Sequence, residues 1–148
     1  MAEGYSSALT AAVANPRTIG MIIGSTARRA EIDKLTMGIN GAPADNTILW
    51  TVHRFTVSGT ATAKTPVEKD PVGAAAQLTT EENASAEPTF TASEELLEIG
   101  QNQRSVLSLA WGPGKGWRTN ITADNGIGVK ATHASATPSG DVTFEWDE

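Results

Sequence analysis

Residues 46–59 read Asn-Thr-Ile-Leu-Trp-Thr-Val-His-Arg-Phe-Thr-Val-Ser-Gly, and this run constrains the fold more than any other part of the chain. It is dense in β-branched and aromatic side chains, carries no Pro, and has Gly only at its end, which predicts the longest strand of a sheet. Ile48, Trp50 and Val52 share one parity, whereas Phe55 and Val57 share the other, so the apolar side switches near His53 and Arg54. Either a bulge lies there or both faces of the strand are covered. Such a strand belongs inside a two-layer β structure whose other strands supply the second layer.

The flanking sequence supplies those strands. Ile19, Met21 and Ile23 alternate within residues 18–24, and Leu35, Met37 and Ile39 alternate after a polar corner at residues 28–33. Residues 60–65 alternate small and polar side chains, which predicts a hairpin returning antiparallel from a turn at Ser58 and Gly59. Asp70-Pro71 is a helix start signal and predicts one short helix over residues 72–78. Residues 79–89, with Glu81, Glu82, Asn83 and Pro88, read as an exposed acidic connection. Leu96, Leu97 and Ile99 predict a short strand, and Leu107, Leu109 and Trp111 predict the next. Ile127, Val129, Ala131 and His133 form a penultimate strand; after a turn over residues 137–140, Val142, Phe144 and Trp146 form the last. Roughly eight to nine strands at intervals of about 8 to 15 residues have the count and rhythm of an antiparallel jelly-roll β-sandwich. The expected core includes Trp50, Val52, Phe55, Leu107, Leu109, Ile127, Val129, Val142 and Phe144.

The domain plan is one all-β domain over residues 17–148, preceded by a flexible N-terminal arm over residues 1–16. The arm is small and polar but keeps Tyr5, Leu9 and Val13 at four-residue spacing, which makes these three candidate interface anchors that order on contact. Glu3 stands where a secretory leader needs basic residues, so no signal peptide is expected. A formal net charge of −6, with Arg28-Arg29 as the lone basic pair, argues against a nucleic-acid partner. No apolar run approaches the roughly 18 residues of a membrane span, so no membrane partner is expected.

Residues that carry chemistry are sparse. The chain has no Cys, which excludes disulfides and thiolate metal sites. Its two histidines, His53 and His133, sit on separate predicted strands that can bring them together, yet there is no His-x-His pair, and no metal or other cofactor is expected. A Gly-x-Ser-x-Gly elbow is missing, nothing sets Glu94, Glu95 and Glu98 across a cleft, and residues 112–117 lack the phosphate-loop spacing. No catalytic residue is therefore assigned, and the chain is read as non-enzymatic. Trp111 and Trp117, near Asn120, Asp124 and Asn125, have the residue types of a sugar site; a core plug or subunit-interface anchor is the favoured reading.

From residue 18 to the end the chain resembles small virion structural proteins of tailed bacteriophages. The resemblance rests on Ala30-Glu31-Ile32, Pro43-Ala44-Asp45-Asn46, Leu49-Trp50-Thr51-Val52, Asp70-Pro71, Ala86-Glu87-Pro88-Thr89, Leu96-Leu97, Asn102-Gln103-Arg104, Asn125-Gly126-Ile127-Gly128 and Phe144-Glu145. It implies a capsid decoration, or cement, protein: a jelly roll that sits as a homotrimer on the outer surface of the major capsid protein lattice. By the same resemblance the protein is assembled in the host cytoplasm and carries no catalytic residues. A carbohydrate-binding or adhesion module of a phage tail or fibre is the alternative, since virion β-sandwiches serve there too.

Overall fold

The computed structural model describes residues 3–13, 16–133 and 138–148. The strands are β1 (Gly4–Ala12), β2 (Arg17–Ile23), β3 (Glu31–Asn40), β4 (Thr47–Val57), β5 (Thr60–Lys64) and β6 (Val67–Glu68). They continue as β7 (Thr79–Ala86), β8 (Thr89–Asn102), β9 (Leu107–Ala110), β10 (Trp117–Arg118), β11 (Gly126–His133) and β12 (Ser139–Asp147). They form two six-stranded antiparallel sheets that pack as a β-sandwich. One sheet runs β10-β3-β12-β1-β6 with β9 also on β3; the other runs β5-β7-β2-β11-β4-β8. Between the layers lie Leu9, Ile19, Ile22, Leu35, Met37, Ile48, Trp50, Val52, Val129, Phe144 and Trp146, all buried.

The parity switch in β4 has both expected causes. Pairing of β4 with β11 runs without a shift from Ile48 to Phe55, so Trp50 and Val52 face the core whereas His53 and Phe55 face outward. Phe55 is nevertheless buried, because Met21, Ile23, Ala84 and Phe90 gather over that outer face as a second cluster. The irregular register lies on the other side of β4, where β8 shifts at Val52, His53 and Phe55 and Ser93 takes a φ of 64°. Leu107 and Leu109 of the expected core are only half-buried.

Four expectations are corrected. Described residues of the expected arm form β1, a nine-residue strand held along its whole length by β12 from Gly4↔Asp147 to Ala12↔Ser139. Four-residue spacing suits a strand face as well as a helix stripe, and an apolar partner strand decides between them. Residues 1, 2, 14 and 15 of that arm, and residue 137 of the expected last turn, lie outside the described residues. The short helix over 72–78 is not formed. Asp70 does accept from Val72 N at 3.1 Å. Downstream, the N–H groups of Ala74, Gln77 and Leu78 donate to the carboxylates of Glu3 and Glu148, satisfying the donors that a helix would have used. The chain turns after β4 without making a hairpin, because β5 pairs with β7 at the far edge of the sheet. The acidic connection is β7: Thr80 and Ala84 are buried, Glu82 accepts from Thr10 N at 2.9 Å, and its partner strands are β2 and β5.

The two flanks of the sandwich close differently. On one side β1 and β7 meet directly, with Ser7 Oγ and Thr80 Oγ1 2.8 Å apart in a buried contact. On the other, the edges β8 and β9–β10 leave Leu96, Leu97, Ile99, Leu107, Leu109, Trp111 and Trp117 only partly covered against the core. That difference positions the site described next.

Candidate interaction surfaces

Of the five candidate interface residues, three are core residues. Tyr5 is 2% exposed and stacks on Trp146 with ring centroids 5.8 Å apart. Its hydroxyl donates to Glu3 Oε2 at 2.7 Å and contacts Ala74 O at 2.9 Å. Leu9 is buried between the layers, and Val13 is buried with its carbonyl 2.8 Å from His133 Nε2. None of the three is presented to a partner while β1 stays in its sheet.

Trp111 and Trp117 are brought together. Their ring centroids are 4.5 Å apart at an interplanar angle of 48°, a tilted contact. Trp111 is fixed by its N–H donating to Asp33 O at 2.8 Å. Trp117 pairs with Ile32 across β10 and β3, which turns its ring to the core side of the sheet. Between them the Gly-rich loop turns through Lys115 N donating to Gly112 O, and Gly116 fits against β3 so closely that an added Cβ would stand 1.9 Å from Ile32 O. Arg54, carried on the core-side parity of β4, reaches this end of the flank and donates to Arg118 O. Arg118 also grips Glu31 through Nε and Nη2 at 2.9 and 2.7 Å, and this guanidinium holds the Glu31 carboxyl below its usual range. Both tryptophans remain half-exposed, at the end of the incompletely closed flank.

On the rest of that flank the sequence located both strands, at Leu96–Ile99 and from Leu107, but not the length of the first. β8 is 14 residues long, against a usual strand of about 5 to 6, and it runs along the sheet edge with its inner side chains Leu97 and Ile99 opposite Val52 and Trp50. Val106, beside β9, is 70% exposed. The signal was present as the Leu96-Leu97-x-Ile99 run, but Glu94-Glu95 before it breaks the alternation and hides the strand's true length.

A second, polar surface lies where residues 70–78 cross the end of the sandwich. A hollow of about 420 Å³ is lined by Glu3, Tyr5, Arg28, Gln77 and Glu148 among others, and one of about 460 Å³ adjoins it around Lys69 and Asp70. Its carboxylates are committed to structure: Glu3 holds Tyr5 and Ala74, and Glu148 holds Gln77, Leu78 and the Trp146 indole. Burial, then the neighbouring Glu3, pushes the Tyr5 hydroxyl up to about 12, so it stays a neutral donor well into the alkaline range.

The histidines do not meet. His53 pairs with Gly128 and His133 with Ile48, five positions apart along adjacent strands, or about 17 Å. His53 Nε2 lies 2.9 Å from Glu95 Oε1 and its ring contacts Phe90. Among the described residues no group of three or more His, Cys, Asp or Glu is placed to hold a metal ion, and no helix is long and apolar enough to cross a membrane. No family model matches the chain, and no curated protein is similar to it in sequence.

Proposed function

We propose that this protein is a non-enzymatic capsid decoration protein of a tailed bacteriophage, a jelly roll that binds the outside of the major capsid lattice and stabilises the head. The observation that carries this reading is the strand order. Within the two sheets, β1-β12-β3-β9 lie against β2-β11-β4-β8, the order expected of two interleaved four-stranded Greek keys, with β5, β6 and β7 as an added excursion on the closed flank. Jelly rolls of this kind recur in viral shells, and the virion resemblance, from residue 18 onward, covers every strand of that order except β1 and the first residue of β2. The surface fits a protein that works through contacts: many of its carboxylates hold loops and strands, and a row of partly covered apolar side chains runs along one flank. Binding only the assembled lattice stabilises that lattice by mass action, and many small contacts add when copies are linked.

The alternative, a sugar-binding module on a tail or fibre, draws on the half-exposed Trp111–Trp117 pair beside a Gly-rich loop. The tilt of the two rings gives no flat platform for a sugar face, so the decoration reading is preferred. Antibody labelling of purified virions, viewed by electron microscopy, separates the two. Label spread over the head in many copies is the expected result; label confined to the tail tip supports the adhesin, and absence from virions overturns both.

A further inference from the structure

The chain holds two Asn-Gly pairs, Asn40-Gly41 and Asn125-Gly126, and the fold places them in opposite surroundings. In such a pair the side-chain amide is open to attack by the next backbone nitrogen, since glycine brings no Cβ to crowd the ring that forms. The attack needs backbone free enough to bring that nitrogen onto the Asn Cγ, so strand bonds on both sides suppress it.

Asn125-Gly126 is fixed. Asn125 O accepts from Gly24 N at 2.7 Å, and Asn125 N donates to Thr122 O at 3.4 Å. Gly126 is buried, with Ile23 of β2 and Phe55 of β4 as its partners on either side. An added Cβ there would stand 2.1 Å from Ile22 O and 2.6 Å from Phe55 Cζ. Asn40-Gly41 is loosely held, and both of its residues are exposed. Asn40 ends β3 and has Ser139 of β12 as its partner on one side only, because the pairing with β9 stops at Met37. Gly41 and Ala42 turn the chain with φ of 57° and 52°, and a Cβ on Gly41 would meet only Ser139, at 3.9 Å. One contact holds the Asn40 side chain, whose Nδ2 donates to Asp141 Oδ1.

We propose that Asn40 is a site of spontaneous deamidation, the one of the two Asn-Gly pairs that the folded protein leaves reactive. Gly41 N gives its proton to a base in solution and bonds to Asn40 Cγ; the Cγ–Nδ2 bond breaks, and Nδ2 takes a proton from water and leaves as ammonia. Water then opens the cyclic imide at either carbonyl, giving an aspartate or its β-linked isomer. Loss of ammonia and gain of water leave the chain about 1 Da heavier and one charge more negative. Asp141 restrains the reaction, since its hold on Nδ2 keeps Cγ away from Gly41 N and its charge disfavours the nitrogen anion. Afterwards a carboxylate faces Asp141 where an amide donor stood, so a bond at the end of the β3–β12 pairing becomes a repulsion.

Incubation of the full chain at about pH 8 and 37 °C, with peptide mass mapping at intervals, tests this. The peptide holding Asn40 should gain mass while Asn125 stays unchanged, and in urea the two sites should react at similar rates. Gly41→Ala should slow the reaction roughly tenfold by displacing the attacking nitrogen, and Asp141→Ala should speed it severalfold. An Asn40 as inert as Asn125 in the folded protein, an Asn125 that reacts as fast, a difference that persists in urea, or a rate indifferent to both substitutions overturns the proposal.

Discussion

Gly20 of β2 lies directly against Leu9 of β1 across the sandwich: a Cβ placed on Gly20 would stand 2.6 Å from Leu9 Cδ1 and 2.9 Å from its Cβ. The two layers approach this closely because one partner has no side chain, and the segment expected to be a free arm is thereby locked into the core.

Leu9→Ala is expected to cost about 2–5 kcal/mol, because a fully buried side chain leaves a cavity between two sheets. Gly20→Ala should cost about 1–3 kcal/mol by overpacking the same contact. Urea unfolding of each variant measures both. Deleting residues 1–13, most of the segment expected to be a flexible arm, should abolish the cooperative transition, since it removes one of β12's two neighbours and uncovers Phe144 and Trp146.

The alkaline limit of stability should report Tyr5. Its hydroxyl titrates in the folded protein at about 12, above the ordinary 10.0, because burial and then Glu3 disfavour the phenolate. The neutral form is thus favoured by folding, so its contribution is complete below pH 10.0 and is lost as pH rises toward about 12. Thermal melts between pH 9 and 12 should show a falling Tm. Tyr5→Phe should start lower at neutral pH, lacking the bonds to Glu3 and Ala74, and should lose less over that interval.

Acid should act through two carboxylates of the first-described sheet. Hydrogen bonding to Arg118 lowers Glu31, and hydrogen bonding to Lys34 at 2.9 Å lowers Glu145. Folding favours their ionised forms, so their contribution is present above the ordinary 4.5 and is lost as pH falls through the lowered folded values. Glu145→Gln should flatten the acid side of a Tm-versus-pH curve. Both pairs are partly exposed, so the effect should be small and should shrink with added salt.

The tryptophan loop offers a paired test. Gly116→Ala forces its new methyl into Ile32 O, so β10 must lift from β3; a loss of about 1–3 kcal/mol and altered tryptophan fluorescence are expected. Gly112→Ala, where nothing lies within 4 Å, should leave both unchanged. Equal effects from the two would remove the close-contact explanation.

Local alternation along the chain was enough to determine the strands β2, β3, β4, β9, β11 and β12 and most of the core, because a strand half-covered by a second layer writes its burial as a period of two. The outward-facing Phe55 was legible in the same way, as a break in that period. Of the candidate contact residues, the closeness of Trp111 and Trp117 was legible from a short Gly-rich loop that can hardly separate them. What only the tertiary structure decided is non-local. Tyr5, Leu9 and Val13 became core because β12, more than 120 residues away in sequence, lies beside β1. The expected helix gave way because Glu3 and Glu148, from the two ends of the chain, took its N–H groups. The partners of β5 and the openness of the β8 flank depend on which strand ends as an edge. Backbone hydrogen bonds of a sheet join any two strands of suitable parity, so sequence periodicity specifies the face of a strand but leaves its neighbour to packing and chain connection.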